Sequence, residues 1–326
     1  MQAIVFRRYG SPDVLEVAQV GRPSPGRDQV LVQIRAAAIN PYDLHFLRGE
    51  PVLMRPMMGL GLRKPRLAAM LGSDIAGVVV AVGEGVTRFR PGDEVYATVG
   101  MGGFGEVVAV PEDVLALKPA GATFEEAAAV PMAATTALQA LRDVGCLRPG
   151  QRVLINGASG GVGSFAVQLA RTLGAAVVAG VCSTGNLELV RSIGADLVID
   201  YTTEDFTRGT GRYDLVVDTV GNRSLRALCR AATREGTVVI VGGGGGRVLG
   251  PVAQILTAKL QSRFVTQRVV TMLARRNAAD LAVIAELIEE GRVRPVIDRT
   301  YPLVEAADAL RYLETRHARG KVVVTH

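Results

Sequence analysis

A chain of 326 residues, 48% hydrophobic and with 38 glycines, is long enough for two cores and has the composition of an α/β protein, which excludes disordered and fibrous classes. The net charge of +6 comes from dispersed arginines, and the densest basic patch, Arg63-Lys64-Pro65-Arg66, has no interleaved aromatics, so nucleic-acid binding is not indicated. No apolar run approaches the roughly 18 residues of a membrane span, and the stretch from Met1 to Gly10 lacks the apolar core of a signal peptide. Three scattered cysteines (Cys146, Cys182, Cys229) without C-x-x-C spacing fit reduced thiols, and the chain reads as cytoplasmic.

The first 120 residues are punctuated by Pro and Gly. Residues 30–35 alternate, residues 76–82 form a continuous apolar run, and residues 92–96 begin another strand. Short strands with turn signals predict a β-rich, partly barrelled domain. Thr123 and Glu126 then form a T-x-x-E capping box, and the composition changes there. This sets a domain boundary: residues 1–122 on one side and residues 123–265 on the other, with residues 266–326 after them.

The second region opens with the apolar run Val153-Leu154-Ile155, followed by the turn Asn156 to Gly163 (NGASGGVG) and a helix-forming stretch, residues 164–173. Strand, glycine turn and helix in that order are the first unit of a dinucleotide-binding fold. Gly160 has no Cβ to hold a pyrophosphate away, Gly163 lets helix and strand pack, and the helix N-terminus offers unpaired N–H groups. The expected phosphate contacts are Ser159, Gly160, Gly161 and Val162. Ala158 stands where the usual fingerprint has its first glycine, so the turn is a variant.

Further strands are predicted at residues 176–181, 197–200, 215–218 and 237–241, with helices at 187–193 and 224–233. Short β-branched runs without alternation suit strands buried on both faces, so a doubly wound parallel sheet is expected. Its ligand belongs at the carboxyl ends of the strands, where Ser183, Thr184, Asn186, Tyr201, Val220, Gly242 and Gly243 stand. The five glycines 242–246 read either as room for a nicotinamide or as a flexible loop. An NAD enzyme usually has an acid after its second strand. Here residues 180–186 (GVCSTGN) contain none, which favours NADPH over NADH, although no Arg or Lys is present to pair with the 2′-phosphate. The remaining chain predicts a helix at about 279–290, a strand at 296–301, a helix at 304–314 and a last strand at 321–325; patterning leaves open whether that strand returns to the first domain.

End to end, the chain resembles the medium-chain dehydrogenase/reductase superfamily in its zinc-independent quinone-oxidoreductase branch. The resemblance is carried by residues 72–78 (GSDIAGV), 90–95 (RPGDEV), 125–131 (EEAAAVP), 135–137 (TTA), 156–163 and 318–324 (ARGKVVV). It implies a GroES-like domain completed by the C-terminal segment, a Rossmann domain, a cleft between them, a homodimer carried by the apolar stretch 264–270, and hydride transfer from NADPH to a quinone, an enone or a related activated carbonyl. It also sets Thr135 and Lys321 against the cofactor.

The zinc enzymes of this superfamily carry a Cys near the first motif and a His-Glu pair near the second, where this chain has Asn40-Pro41-Tyr42-Asp43 and Gly72-Ser73-Asp74. With three histidines and no clustered cysteines, no metal site is expected. Without a Lewis acid, reduction of an electron-poor acceptor is favoured over alcohol oxidation. Asn40 is expected either to hold a carbonyl oxygen or to cap a turn before Pro41. Tyr42 and His45 match proton-relay positions; the alternatives are a pocket wall for Tyr42 and a half-buried, hydrogen-bonded ring for His45. Asp43 is expected to fix a turn. The Met- and Leu-rich residues 52–62 read either as an adaptable apolar lip for a bulky substrate, Met57 and Met58 included, or as a buried crossing segment. Two other functions stay open: an alcohol dehydrogenase with relocated zinc ligands, and a non-catalytic NADPH-binding scaffold.

Overall fold

The structure is a computed structural model that describes residues 1–52, 55, 61, 65, 69–208, 212–241 and 265–326. The chain divides into two compact units, residues 1–135 with 276–326 and residues 136–275. The chain thus leaves the first unit within a helix that follows the capping box, and it re-enters about ten residues after position 265, the last residue of the middle segment on the sequence reading.

In the first unit, β1 (Gln2–Phe6), β2 (Leu15–Gln19), β3 (Gln29–Ile39), α1 (Pro41–Arg48), β4 (Ala69–Met70), β5 (Asp74–Val82), β6 (Glu94–Thr98), β7 (Val107–Pro111), β8 (Ala116–Leu117) and α2 (Phe124–Ala128) follow in order. β2, β1 and β4 form one small antiparallel sheet, and β3 pairs antiparallel with β5 and β7 in a second. β3 shows why the sequence makes a sheet here: Val30, Val32 and Ile34 are buried while Gln33 and Arg35 are exposed. The Thr123 box caps α2 as expected, with Glu126 N–H donating to the Thr123 hydroxyl and the Glu126 carboxylate accepting the Thr123 N–H. Helix α1 was not foreseen, since Asn-Pro reads as a turn. Pro41 instead occupies the first helical turn, where its missing N–H leaves nothing unsatisfied.

α3 (Pro131–Gln139) leads into the second unit. There β9 (Arg152–Asn156), α4 (Gly161–Thr172), β10 (Val177–Cys182), α5 (Leu187–Ser192), β11 (Leu197–Asp200), β12 (Tyr213–Asp218), α6 (Leu225–Ala231), β13 (Ala232–Val241) and β14 (Arg268–Met272) alternate. The described strands form one sheet in the order β11-β10-β9-β12-β13-β14, with every pairing parallel. This is the expected doubly wound sheet. Strand order reverses at β9, so the crevice at the carboxyl ends of β9 and β12 is its topological switch point.

The chain then returns to the first unit through α7 (Ala278–Glu289), β15 (Ile297–Pro302), α8 (Ala306–Glu314) and β16 (Lys321–Thr325). β16 pairs antiparallel with β3, placing Val322 opposite Ile39, so the last strand does join the N-terminal sheet. Val322 and Val324 enter the same buried cluster as Phe6, Ile39, Ile75 and Phe104. The architecture is thus the GroES-like and Rossmann pair expected from the sequence. No helix among the described residues is long and apolar enough to cross a membrane.

Two glycines fix the turn after β9. Gly157 has φ +86°, and a Cβ there would lie 2.5 Å from the Thr219 hydroxyl oxygen. A Cβ on Gly163 would lie 2.0 Å from the Gly157 carbonyl oxygen, so helix and strand approach closely only because it is absent. At Gly160 a Cβ would meet only that same oxygen, at 3.4 Å, an ordinary contact. Gly163→Ala is expected to destabilise the protein by roughly 3 kcal/mol or more. Gly160→Ser, at the N-cap of α4, should stay within about 0.5 kcal/mol. Urea unfolding of the two variants checks this, and equal losses would contradict it.

Candidate functional site

The second unit presents a cradle at its switch point. The chain leaves β9 through Asn156, turns over Gly157 to Gly160, and enters α4 with Gly160 as N-cap. The N–H groups of Gly161, Val162 and Gly163 lie in the first turn, where no intrahelical acceptor exists, and the helix dipole adds positive charge there. The rim is braced by side chains. Asn156 Nδ2 donates to Asp218 Oδ1 (2.8 Å) and to Asn222 Oδ1 (3.0 Å), and Asp218 Oδ1 also accepts the N–H groups of Val220 and Gly221. On the other side, Asn186 Nδ2 donates to Ser159 Oγ (3.2 Å) and Ser183 Oγ (3.1 Å). Asn186 Oδ1 is buried without a hydrogen-bond partner among the described residues, an orphan acceptor beside the turn. A Cβ-free approach, first-turn amides and an unsatisfied amide oxygen together fit a dinucleotide diphosphate and its adenosine side.

The first unit holds a different cluster, entirely buried. Asn40 follows β3 and caps α1, Ser73 precedes β5 and Asp74 opens it, Thr98 ends β6, and Lys321 opens β16; all are buried. Lys321 Nζ donates to Asn40 Oδ1 (2.5 Å) and lies 3.5 Å from Asp74 Oδ2. Asn40 Nδ2 donates to Ser73 Oγ (2.8 Å) and Asp74 Oδ2 (3.0 Å). The Thr98 hydroxyl and the Met132 N–H complete the Asp74 shell. Asp43 accepts the Asn40 N–H (2.8 Å), the Gly72 N–H (3.0 Å) and the Ser73 hydroxyl (3.0 Å). Burial pushes the Asp43 carboxyl up to about 6, opposed by these hydrogen bonds and reinforced by the Asp74 charge. Burial likewise raises Asp74, which Lys321 counteracts, and lowers Lys321, which Asp74 and Asp43 counteract.

This geometry changes several expectations. Of the two expectations for Asn40, the structure shows the cap, at the start of α1; both ends of its amide are engaged inside the cluster, and the residue is 4% exposed. Lys321, expected against the cofactor, is its partner. Thr135 is buried, with its hydroxyl donating to the Pro131 carbonyl (2.5 Å). Asp43 binds backbone amides, as its turn-fixing role requires. Tyr42 and His45 are exposed on α1, with the Tyr42 ring against Phe46 at 4.7 Å between centroids. Partial burial raises the Tyr42 hydroxyl, so it stays protonated through the neutral range. Ser159, Ser183, Asn186 and Gly160 to Val162 gather around the turn; Thr184 stands at the end of β10, and Tyr201 and Val220 stand exposed at neighbouring strand ends. Gly242, Gly243, Met57 and Met58 lie outside the described residues. Sequence reasoning gave no role to Ser73, Thr98 or Asn156. Asp74 was visible as part of the GSDIAGV motif, and its place at the head of an apolar strand was the available signal.

Comparisons with known proteins agree over the whole length. Residues 26–120 match the family model described as alcohol dehydrogenase GroES-like domain, and residues 193–324 the one described as zinc-binding dehydrogenase. The chain is 38% identical over 340 residues to 2-methylene-furan-3-one reductase of Solanum lycopersicum, covering 99% of this chain and 79% of that protein. It is 37% identical over 341 residues to the chloroplastic NADPH-dependent alkenal/one oxidoreductase of Arabidopsis thaliana, with the same coverage. Among solved structures, quinone oxidoreductase of Escherichia coli complexed with NADPH matches with a TM-score of 0.86 at 26% identity, over 100% of both chains.

The buried carboxyl supplies a pH signature. A carboxyl whose folded pKa lies above its unfolded value stabilises the fold fully below that unfolded value, 3.8 for Asp43, and loses the contribution as pH rises through about 6. The stability lost on Asp43→Asn is therefore expected to be larger at about pH 5 than at about pH 7.5. Urea unfolding at both values tests this, and an equal loss would mean that the carboxyl titrates normally.

Proposed function

The chain belongs to the medium-chain dehydrogenase/reductase superfamily, and from that membership we propose that it is an NADPH-dependent reductase of enones, quinones or related activated carbonyls. The observation that carries this is the cradle at the end of β9, whose first-turn amides lack intrahelical acceptors and whose Asn186 oxygen has no partner among the described residues, an arrangement that suits a dinucleotide. Bound there, NADPH supplies the hydride. Gly161, Val162 and Gly163 bind its diphosphate through backbone N–H groups, while Ser159, Ser183 and Asn186 face the adenosine side. Orientation of the acceptor against the cofactor carries most of the rate, since an activated acceptor needs only a placed hydride and a proton. That proton comes from Tyr42 or His45, both exposed on α1, or from solvent.

The reaction runs without zinc on this reading. At the motif positions of the metal enzymes the chain has an amide, a hydroxyl and one carboxylate. Asn40 Nδ2 donates hydrogen bonds, and the Lys321 ammonium already neutralises Asp74. A second cation there would be repelled. The exposed free thiol of Cys146 supports a reducing compartment, consistent with the cytoplasm.

The direct test measures NADPH and NADH oxidation with 1,4-benzoquinone and with a simple enone, with and without a chelator. Turnover that prefers NADPH and resists the chelator is expected. Turnover abolished by the chelator would favour the metal-dependent alternative. Tight NADPH binding without turnover would favour a scaffold role.

A homodimer completes the proposal. β14 is the outer strand of the parallel sheet as described, and its far edge offers backbone groups to a second copy. Light scattering should give about twice the 34.4 kDa chain mass; a monomeric mass would remove this part.

A further inference from the structure

No acid stands in the loop after β10, yet the fold brings one beside it. β10 and β11 run parallel with Cys182 opposite Asp200, so the two strands end side by side. Asp200 Oδ2 accepts the Thr184 hydroxyl at 2.5 Å, and Oδ1 accepts the Thr202 hydroxyl at 2.7 Å and the Thr202 N–H at 2.9 Å. These bonds, the one from Thr184 foremost, hold the Asp200 carboxyl below the usual range, so it is ionised at neutral pH. A threonine hydroxyl has a single proton, and both protons go to Asp200. The two hydroxyl oxygens lie 3.0 Å apart, and when both protons point at the carboxylate, the strongest acceptor within reach, each oxygen offers its lone pairs outward. Two such oxygens beside a carboxylate form a negatively charged patch that favours a hydrogen-bond donor over an acceptor.

We propose that Asp200 is a specificity-determining residue that limits the preference for NADPH over NADH, by making the Thr184–Thr202 pair a receiver for ribose hydroxyls and a poor host for a 2′-phosphate. The inference rests on the cofactor reading above. A ribose 2′-hydroxyl brings a proton to the pair. A 2′-phosphate brings acceptor oxygens and a charge of about −1.5 to −2 at neutral pH. Attraction on the other side is modest: Ser183 and Asn186 are neutral, and Arg191 on α5 is the cation whose field is felt at the Cys182 thiol, opposing that of Asp200. Neutralising Asp200 removes the repulsion and frees the Thr184 proton for donation to a phosphate.

The test is calorimetric titration of the full chain and of Asp200→Asn with NADPH, NADH, 2′,5′-ADP and 5′-ADP, none of which requires turnover. In Asp200→Asn, the ratio of affinities for phosphorylated over unphosphorylated ligand should rise about tenfold, and the rise should shrink between about 20 mM and about 500 mM salt as the charge is screened. An unchanged ratio, or equal tightening of all four ligands, overturns the proposal. Thr184→Val keeps the carboxylate and removes one acceptor, so it should weaken NADH and 5′-ADP without tightening NADPH. Tightening of NADPH by Thr184→Val equal to that in Asp200→Asn would overturn the role of the charge. Failure of the wild-type chain to bind any nucleotide would instead overturn the cofactor reading, a result distinct from an unchanged ratio.

Discussion

A lysine ammonium sealed inside the first unit dictates much of what surrounds it. Lys321 is 3% exposed, and a buried charge without compensation is too costly for a folded protein to hold. Its compensation comes from two other strands, through the Asn40 amide oxygen at the end of β3 and the Asp74 carboxylate at the start of β5. The register agrees: Val322 lies opposite Ile39, and Ala38 opposite Asp74. Removing one member of such a set leaves an uncompensated charge, which typically costs about 3–5 kcal/mol. The C-terminal strand is therefore tied to its place by a charge as well as by Val322 and Val324, and a slip of one residue would turn the ammonium away from its partners.

The same cluster bears on the chemistry. Asn40, Ser73 and Asp74 occupy the motif positions where metal-dependent relatives keep ligands, and here those groups bind one another and a lysine. Lys321 Nζ lies 3.5 Å from Asp74 Oδ2, and both side chains are buried. Within the first unit, Tyr42 and His45 on α1 are exposed, whereas the polar groups of this cluster are turned inward onto one another.

How far the sequence disclosed this depends on how local each signal is. The parallel strands were legible because burial on both faces writes itself as short runs such as Val153-Leu154-Ile155. The glycine turn was legible because a missing Cβ is visible in the letters, and Gly163 packs as its position requires. β1, β2, β4, β7, β8 and β14 were not read, and α1 hid behind an Asn-Pro pair that also signals a turn. Asn40 was read either as a carbonyl holder or as a cap before Pro41, and it stands as the N-cap of α1, but its lysine partner was not foreseen. Lys321 Nζ comes from a residue 281 positions away in sequence, and no local pattern announces which amide oxygen it will meet.

Asp200 shows the same limit in a sharper form. The rule for reading cofactor choice looks along one strand to the residue that follows it. In a parallel sheet, however, the neighbouring strand ends about 4.8 Å away, and its last side chain is as close to the loop as the loop's own residues. Thr184 offers a neutral hydroxyl when only its own segment is considered. With Asp200 across the ladder it becomes an acceptor beside a negative charge, which reverses its meaning for a phosphate. Discrimination at such a rim belongs to the set of strand ends that the register brings together, so the residues that bind a cofactor and the residue that tempers the choice among cofactors need not share a motif.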